Sequence, residues 1–440
     1  MLNYLQYAEK YSSLSKENFD LLYYQLDKCV WCHSDYWRNS LQIYKTIELN
    51  CNCKSIFSLQ KSFAFIKSII TRFRNFFLLK KEIKNDNYNE IVICRSYFNF
   101  KADFPFCCFD LFDFSFLDVN KYKNDIKLIM EVEENFKTEG LNYFLSSEMN
   151  EKINQLKESL IRIYSSNKVK AFFTYADSDF WSRILILVFK KLNKPTFLYV
   201  HGMPGIYKSV YNRSDFLLVW SEKMKRNFID AGMPKEKIIL WQNKKYAGIT
   251  ASLKKVELSS VVVLGYTIPG SDPCCDKTRT FQRNFGLTLL YADLVKNTLL
   301  KLGIKRAILR PHPSENHFWY IKNVDTSFYS IDNSSSDDEC LEKASLIIGP
   351  TSTMIVNSLY HGVPYILFEP VLSGEELSIF GLVPPFDGTD SFVPLCRTEA
   401  ELYSAIKEGK SAKQELFFEY NTKVDEYDRV ITIIKGLKDE

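Results

Sequence analysis

The feature that most constrains this chain is a change of texture at residue 90. From Glu90 onward, short apolar runs alternate with helical stretches as far as about residue 370. That alternation is the signature of parallel sheets covered by helices on both faces. In the first half the runs are Ile91–Cys94, Lys127–Met130, Ala171–Tyr175, Thr196–Val200, Phe216–Trp220 and Ile238–Trp241. In the second half they are Val261–Leu264, Ala307–Leu309, Phe328–Ile331, Leu346–Ile348 and Tyr365–Phe368. Helices are expected between them at Phe180–Leu192, Thr288–Leu302, Asp337–Ala344 and Met354–His361. Another starts behind Ser221 and stops at Gly232-Met233-Pro234, where Gly and Pro end a helix.

A chain of 440 residues exceeds what one core usually supports, which is roughly 250–300 residues. The expected fold class is therefore α/β, with two Rossmann-like domains facing a cleft and a helical N-terminal extension. The expected division is 1–85 helical, 86–243 the first Rossmann-like domain, and 244–258 a polar, lysine-rich linker. Residues 259–398 form the second such domain, and 399–440 are helices that pack back on the first. In such sheets ligands lie beyond the carboxyl ends of the strands. The polar residues that follow the apolar runs are thus the candidates for chemistry.

Two of these strand ends suit an anion. Arg310-Pro311-His312-Pro313 puts a guanidinium and an imidazole on a loop stiffened by two prolines. Gly349-Pro350-Thr351-Ser352-Thr353 supplies hydroxyls and backbone N–H groups where a helix begins. Either could equally be an ordinary turn or a plain N-cap. Together on nearby strands they would make a phosphate site. Gly265 and Thr267 follow the first strand of the second half and could cover a bound donor; Glu369 follows the last and could hold a sugar hydroxyl. In the first half, His201-Gly202-Met203-Pro204 follows one strand and Asp177-Ser178-Asp179 another. His201 or Asp177 could take a proton from an acceptor hydroxyl. Asp179 reads better as the N-cap of the Phe180 helix.

The formal charge of +4, from 57 basic and 53 acidic residues, gives no basis for nucleic-acid binding. The N-terminus does not read as a signal peptide, and no window reaches the ~18 apolar residues of a spanning helix. The expected location is cytoplasmic, with the eleven cysteines reduced. Phe57–Lys84 alternates apolar residues with Lys and Arg, so residues 57–84 could contact the inner face of the membrane or pack on the protein. Cys29-Val30-Trp31-Cys32-His33 matches the short haem-attachment pattern but lacks an export signal. With Cys51 and Cys53 it could supply zinc ligands only at irregular spacing. No metal is expected.

On the His-Pro pair, the Ser-Thr pair and the strand-end groups, the chain resembles bacterial glycosyltransferases of the glycosyltransferase-B fold that build surface polysaccharides. Within them it is most similar to the sialyltransferase-like group that uses CMP-activated sugars. The resemblance spans roughly residues 165–400. It implies that His312-Pro313 and Ser352-Thr353 bind the CMP phosphate. Family members carry their base in an acidic-acidic-Gly motif; Asp177-Ser178-Asp179 lacks the glycine. The chain also resembles CDP-glycerol glycerophosphotransferases, which have a His-Gly-x-Pro segment like His201-Gly202-Met203-Pro204 and a later His-Pro, with both histidines implicated in catalysis.

The resemblance thus implies an inverting, metal-independent transferase without a cofactor, using a nucleotide sugar, CMP-linked, as co-substrate. The sugar would be a nonulosonic acid or Kdo. The acceptor would be an oligosaccharide or lipid-linked glycan of lipopolysaccharide or capsule. Asp177 or His201 would be the base, with His312 also catalytic. Gly265, Thr267, Arg310, His312, Thr351, Ser352, Thr353 and Glu369 would hold the donor. Glycerophosphate transfer and non-catalytic glycan binding are the alternatives.

Overall fold

The computed structural model describes residues 12–33, 90–95, 104–139, 141–177, 179–204, 207, 213–246, 248, 250–266, 285–312, 317–372, 375–376, 382–421 and 425–436. Among the described residues the strands form two six-stranded parallel sheets and one short hairpin. The first sheet holds β1 (Ile91–Cys94), β2 (Cys107–Asp110), β3 (Val169–Thr174), β4 (Thr196–Tyr199), β5 (Phe216–Val219) and β6 (Ile238–Leu240), in the order β2-β1-β3-β4-β5-β6. The second holds β7 (Val261–Leu264), β8 (Ala307–Arg310), β9 (Tyr329–Ile331), β10 (Leu346–Gly349), β11 (Tyr365–Phe368) and β14 (Leu395–Cys396), in the order β14-β11-β10-β7-β8-β9. The hairpin is β12 (Val371–Leu372) with β13 (Glu375–Glu376). This is a doubly wound α/β architecture built on two parallel sheets.

The central strands are largely apolar because helices bury both faces of each sheet. β4, β7, β10 and β11 are buried at every position. The helices are α1 (Lys16–His33), α2 (Lys123–Thr138), α3 (Leu141–Phe144), α4 (Ser147–Tyr164), α5 (Phe180–Lys191) and α6 (Glu222–Asp230), then α7 (Phe285–Lys301), α8 (His317–Asn323), α9 (Asp337–Lys343) and α10 (Met354–Tyr360). The chain ends with α11 (Glu399–Glu408), α12 (Gln414–Tyr420) and α13 (Tyr427–Ile434). Local chemistry starts them where expected: the Ser221 hydroxyl accepts from the Met224 N–H at the head of α6.

Lys127–Met130 is not a strand but the middle of α2. Its buried residues Ile129 and Val132, with the partly buried Ile126 and Phe136, recur at helical spacing, so the apolar run is one stripe of a helix. A strand stands instead at Cys107–Asp110, where Cys and Asp gave no β-like pattern. The haem-like pattern at Cys29–His33 falls in the last turns of α1. Residues 57–84, Cys51 and Cys53 lie outside the described residues. No described helix is long and apolar enough to cross a membrane.

The two sheets share one core. A single apolar cluster runs from Leu198 and Trp220 through Tyr246 to Ile347, Met354 and Tyr365. The segment between the sheets is pinned: Ala251 donates its N–H to the Tyr360 carbonyl (3.0 Å), and Lys254 to that of Gly362 (2.8 Å). Of the C-terminal segment, α11 stays on the second sheet, where Leu402 and Ile406 join its core, and only the chain from α12 onward returns to the first. Glu426 accepts from the Leu240 N–H at 2.6 Å and from Lys225 at 3.3 Å, and Asn421 donates to the Tyr246 carbonyl at 2.9 Å.

Candidate active site between the two sheets

Each strand order reverses once, between β1 and β3 in the first sheet and between β7 and β10 in the second. Such switch points open a crevice at the carboxyl ends, because the connections leave in opposite directions. Arg95, Tyr175 and His201 leave the first sheet at or beside its switch point. Gly265 and Thr351–Thr353 leave the second at its own.

The two groups meet. The Met203 N–H donates to the Thr353 hydroxyl at 2.8 Å, which ties the loop after β4 to the turn after β10. Gly202 makes that approach possible: a Cβ there would stand 2.5 Å from the Thr353 Oγ1. His201, next in the chain, is exposed at this junction. Its Nδ1 lies 3.2 Å from the Tyr175 carbonyl. A carbonyl only accepts, so Nδ1 carries the hydrogen and Nε2 is the basic nitrogen of the neutral ring. The Tyr175 ring meets the imidazole edge-on at 5.6 Å, and the Arg95 guanidinium stands 5.9 Å from the Tyr175 ring centre. Protein packed about the imidazole removes water and lowers its pKa below the ordinary 6.5, against the effect of the Tyr175 carbonyl. Sequence reading missed Arg95 and Tyr175; their position immediately after strands at a switch point was the available signal.

Asp177 turns elsewhere. It is 2 % exposed, and its Oδ2 accepts from the Arg213 N–H at 3.3 Å. Burial pushes its pKa up to about 6, with Arg213 and Arg183 opposing that rise. Both arginines pair with Asp20 of α1, so Asp177 belongs to the seam where that helix docks. Asp179 caps α5 through the Ser182 N–H and pairs with Arg95.

In the second sheet several expected ligand groups already have protein partners. Arg310 pairs with Asp332 and, at 2.8 Å, with Asp337. Burial opposes its charge, but the hydrogen bonds it donates to these two carboxylates outweigh that and raise its pKa. With a side chain only 10 % exposed, it is an internal clamp rather than an open phosphate fork. Glu369 is 4 % exposed and not solvated: it accepts from the Thr351 N–H at 2.6 Å and from the Tyr266 hydroxyl at 3.1 Å. Its pKa is raised by burial. Glu369 thus joins the exits of β7 and β10 instead of facing a sugar.

Gly265 donates its N–H to the Arg310 carbonyl at 2.8 Å, and a Cβ there would stand 2.9 Å from the Tyr320 hydroxyl. The Tyr320 hydroxyl of α8, with the Pro311 backbone at 3.4 Å, leaves little room for a side chain there. Thr267 lies outside the described residues.

The hydroxyl turn and His312 follow β10 and β8. The Ser352 Oγ accepts from the Met354 N–H at 3.1 Å, and the Thr353 Oγ1 accepts from Met203. A hydroxyl that accepts keeps its own O–H to donate, and the N–H it accepts from helps aim that O–H away. His312 is exposed at the end of β8. Surrounding protein lowers its pKa, Asp337 raises it and Arg310 lowers it. Among the described residues no cluster of His, Cys, Asp and Glu has the arrangement of a metal site.

No family model matches this chain, and no curated protein does. Similar solved structures exist. A Listeria monocytogenes protein assigned as a UDP-N-acetylglucosamine 2-epimerase is 11% identical, with 65% of this chain and 78% of that one aligned at a TM-score of 0.42. MurG of Acinetobacter baumannii is 10% identical over 67% of this chain and 80% of its own, at 0.36. A variant of the wall teichoic acid polymerase TagF is 13% identical over 87% and 97%, at 0.34.

Proposed function

We propose that the protein is a glycosyltransferase that uses a nucleotide sugar, CMP-linked, and transfers the sugar with inversion to a hydroxyl of a surface glycan. One observation carries the reading: the Met203–Thr353 hydrogen bond seats the His201 loop on the hydroxyl turn at the switch point of the opposite sheet. A base and a set of donors then face one crevice.

His201 is the base in this mechanism. Its Nε2 takes the acceptor proton as the acceptor oxygen attacks the anomeric carbon. The bond from that carbon to the donor phosphate breaks, and CMP leaves with the bonding electrons. The Ser352 and Thr353 hydroxyls and the His312 N–H donate to the phosphate as its charge grows, which is stabilisation by donors already in place. The reading needs no metal, since these donors act where a cation otherwise would. Asp177 is set aside as base because its carboxylate is buried against the α1 seam. Arg310 and Glu369 act as scaffold.

The two histidines at strand ends also support a second reading, glycerophosphate transfer from CDP-glycerol. There the same base would activate a hydroxyl for attack on phosphorus. A thermal-shift screen with CMP, CDP, UDP and GDP tests the donor class, because stabilisation follows ligand excess over Kd. A shift with CMP and a product of the mass expected from CMP-sialic acid or CMP-Kdo support the first reading. A product from CDP-glycerol replaces it with the second. No shift with any nucleotide, with retained binding to polysaccharide, would leave a glycan-binding protein.

A further inference from the structure

We infer that Tyr365 and Glu369 are positioning residues of the hydroxyl turn, and that they act together by holding one peptide unit, Pro350–Thr351, from its two ends. The inference rests on that turn binding the donor phosphate, as in the reading above, but its first test needs no donor.

The Tyr365 hydroxyl donates to the Pro350 carbonyl, and the Thr351 N–H donates to Glu369 Oε1 at 2.6 Å. That carbonyl and that N–H belong to one planar unit. Held at both, the plane cannot tilt or flip without breaking the two bonds. Both holders come from one piece of chain: Tyr365 opens β11, and Glu369 follows its last residue. β11 lies against β10, with Tyr365 opposite Ile347 and Leu367 opposite Gly349. The Tyr365 side chain therefore reaches forward along β10 to the turn. Gly349 lets it pass, since a Cβ there would collide with the phenol oxygen.

Both holders are buried, at 0 % and 4 % exposure, so water does not compete for either bond. Burial also pushes the Tyr365 phenol well above its ordinary pKa, so it stays a donor. Glu369 is itself fixed on two sides. Its Oε2 accepts from the Tyr266 hydroxyl at 3.1 Å, and its N–H donates to the Cys396 carbonyl at 3.0 Å. The Thr351 N–H is thereby turned toward Glu369 and withdrawn from any ligand. Ser352 and Thr353 follow the clamped unit directly, so its tilt sets where their hydroxyls stand. Donors held in place before the reaction need no reorganisation during it.

The first test is a carbonyl–amide NMR correlation of the full chain, isotope-labelled at proline carbonyl carbons and threonine amide nitrogens. Only Pro–Thr junctions give signals, and the sequence has two, Pro195–Thr196 and Pro350–Thr351. Thr196 also donates its N–H to a carboxylate, that of Asp215 at 2.9 Å, and so serves as the control. Tyr365→Phe should move the Pro350 carbonyl carbon upfield. Glu369→Met should move the Thr351 amide proton upfield, and Glu369→Gln, which keeps an acceptor oxygen, should move it by less. An unmoved Pro350–Thr351 signal, or an equal movement at Thr196, overturns the clamp. In transfer assays Tyr365→Phe should lower kcat by about tenfold, part of the ~10²-fold that misplacement by an ångström can cost. In a Ser352→Ala background the same substitution should cost less, because the two residues act as one unit. An equal loss in both backgrounds overturns the positioning role. Tyr365→Phe and Glu369→Gln decide the matter if Glu369→Met fails to fold. If no nucleotide binds, the donor reading falls while the NMR signals still decide the clamp.

Discussion

The Thr353 Oγ1 stands 2.5 Å from where a Cβ on Gly202 would lie. Two loops from different sheets therefore touch at a point where only a hydrogen fits. The same oxygen accepts the Met203 N–H, so the contact is specific as well as close. Position 202 is constrained by a residue 151 positions away.

Gly202→Ala should push the two loops apart. Thr353 is short and β-branched, so its hydroxyl cannot swing away cheaply. Overpacking of this kind costs about 1–3 kcal/mol. We expect a lower melting temperature and at least about a tenfold loss of transfer, about 1.4 kcal/mol of transition-state stabilisation. Adding Thr353→Ala removes the obstructing oxygen, so the stability losses in the double variant should be markedly less than additive. Additive losses would show that the contact is not what constrains Gly202.

Replacing the base should spare the fold. His201→Gln should lower turnover by about 10²-fold or more, the usual contribution of a general base, with an unchanged melting curve. Because the folded imidazole titrates below 6.5, the acid limb of the pH–rate profile should fall below that value and disappear in the variant. A retained limb would assign the base to another group.

Arg310 should behave as scaffold. Arg310→Met leaves Asp332 buried without its cation, which costs about 3–5 kcal/mol. Pairing it with Asp332→Asn should recover much of that loss in a denaturant melt. A phosphate-binding Arg would show the opposite pattern, a large change in CMP affinity with little change in stability.

Asp177 carries a pH dependence of definite sign. Its folded pKa of about 6 lies above the ordinary 3.8, so between those values the folded state holds the proton more tightly than the unfolded chain. Its contribution to stability is therefore greatest below the lower value and falls as pH rises to about 6. Asp177→Asn should flatten that slope and stabilise the protein at pH 7 by about 1–3 kcal/mol, less the weakened bond to the Arg213 N–H. Urea melts from pH 4 to pH 7 read the slope directly; an unchanged slope would mean that Asp177 titrates normally.

Legibility varied with the range of the determining contact. Ser221, as N-cap of α6, was readable from four consecutive residues. So were the fully buried, mostly apolar strands β4, β7, β10 and β11, whose two-sided burial leaves no polar alternation to find. Lys127–Met130 misled because a run of four cannot distinguish a strand from one stripe of a helix; the wider spacing of Ile129, Val132 and Phe136 decides it. Arg310 and Glu369 had the residue types of a ligand site. Their partners, Asp332 and Asp337 for one and Thr351 and Tyr266 for the other, come from separate elements and leave no local trace.

The sequence by itself determined the α/β class, the position of most strands and the set of strand ends that carry polar groups, because these follow from local apolar patterning and turn chemistry. Only the tertiary structure decided which of those polar groups are taken up by internal partners. It gave Asp177, Arg310 and Glu369 internal partners and brought the His201 loop onto the Thr353 turn. The physical reason is that a buried charge must find a partner as the chain folds. That partner is chosen by the packing of distant elements and not by the residues next to it in the chain.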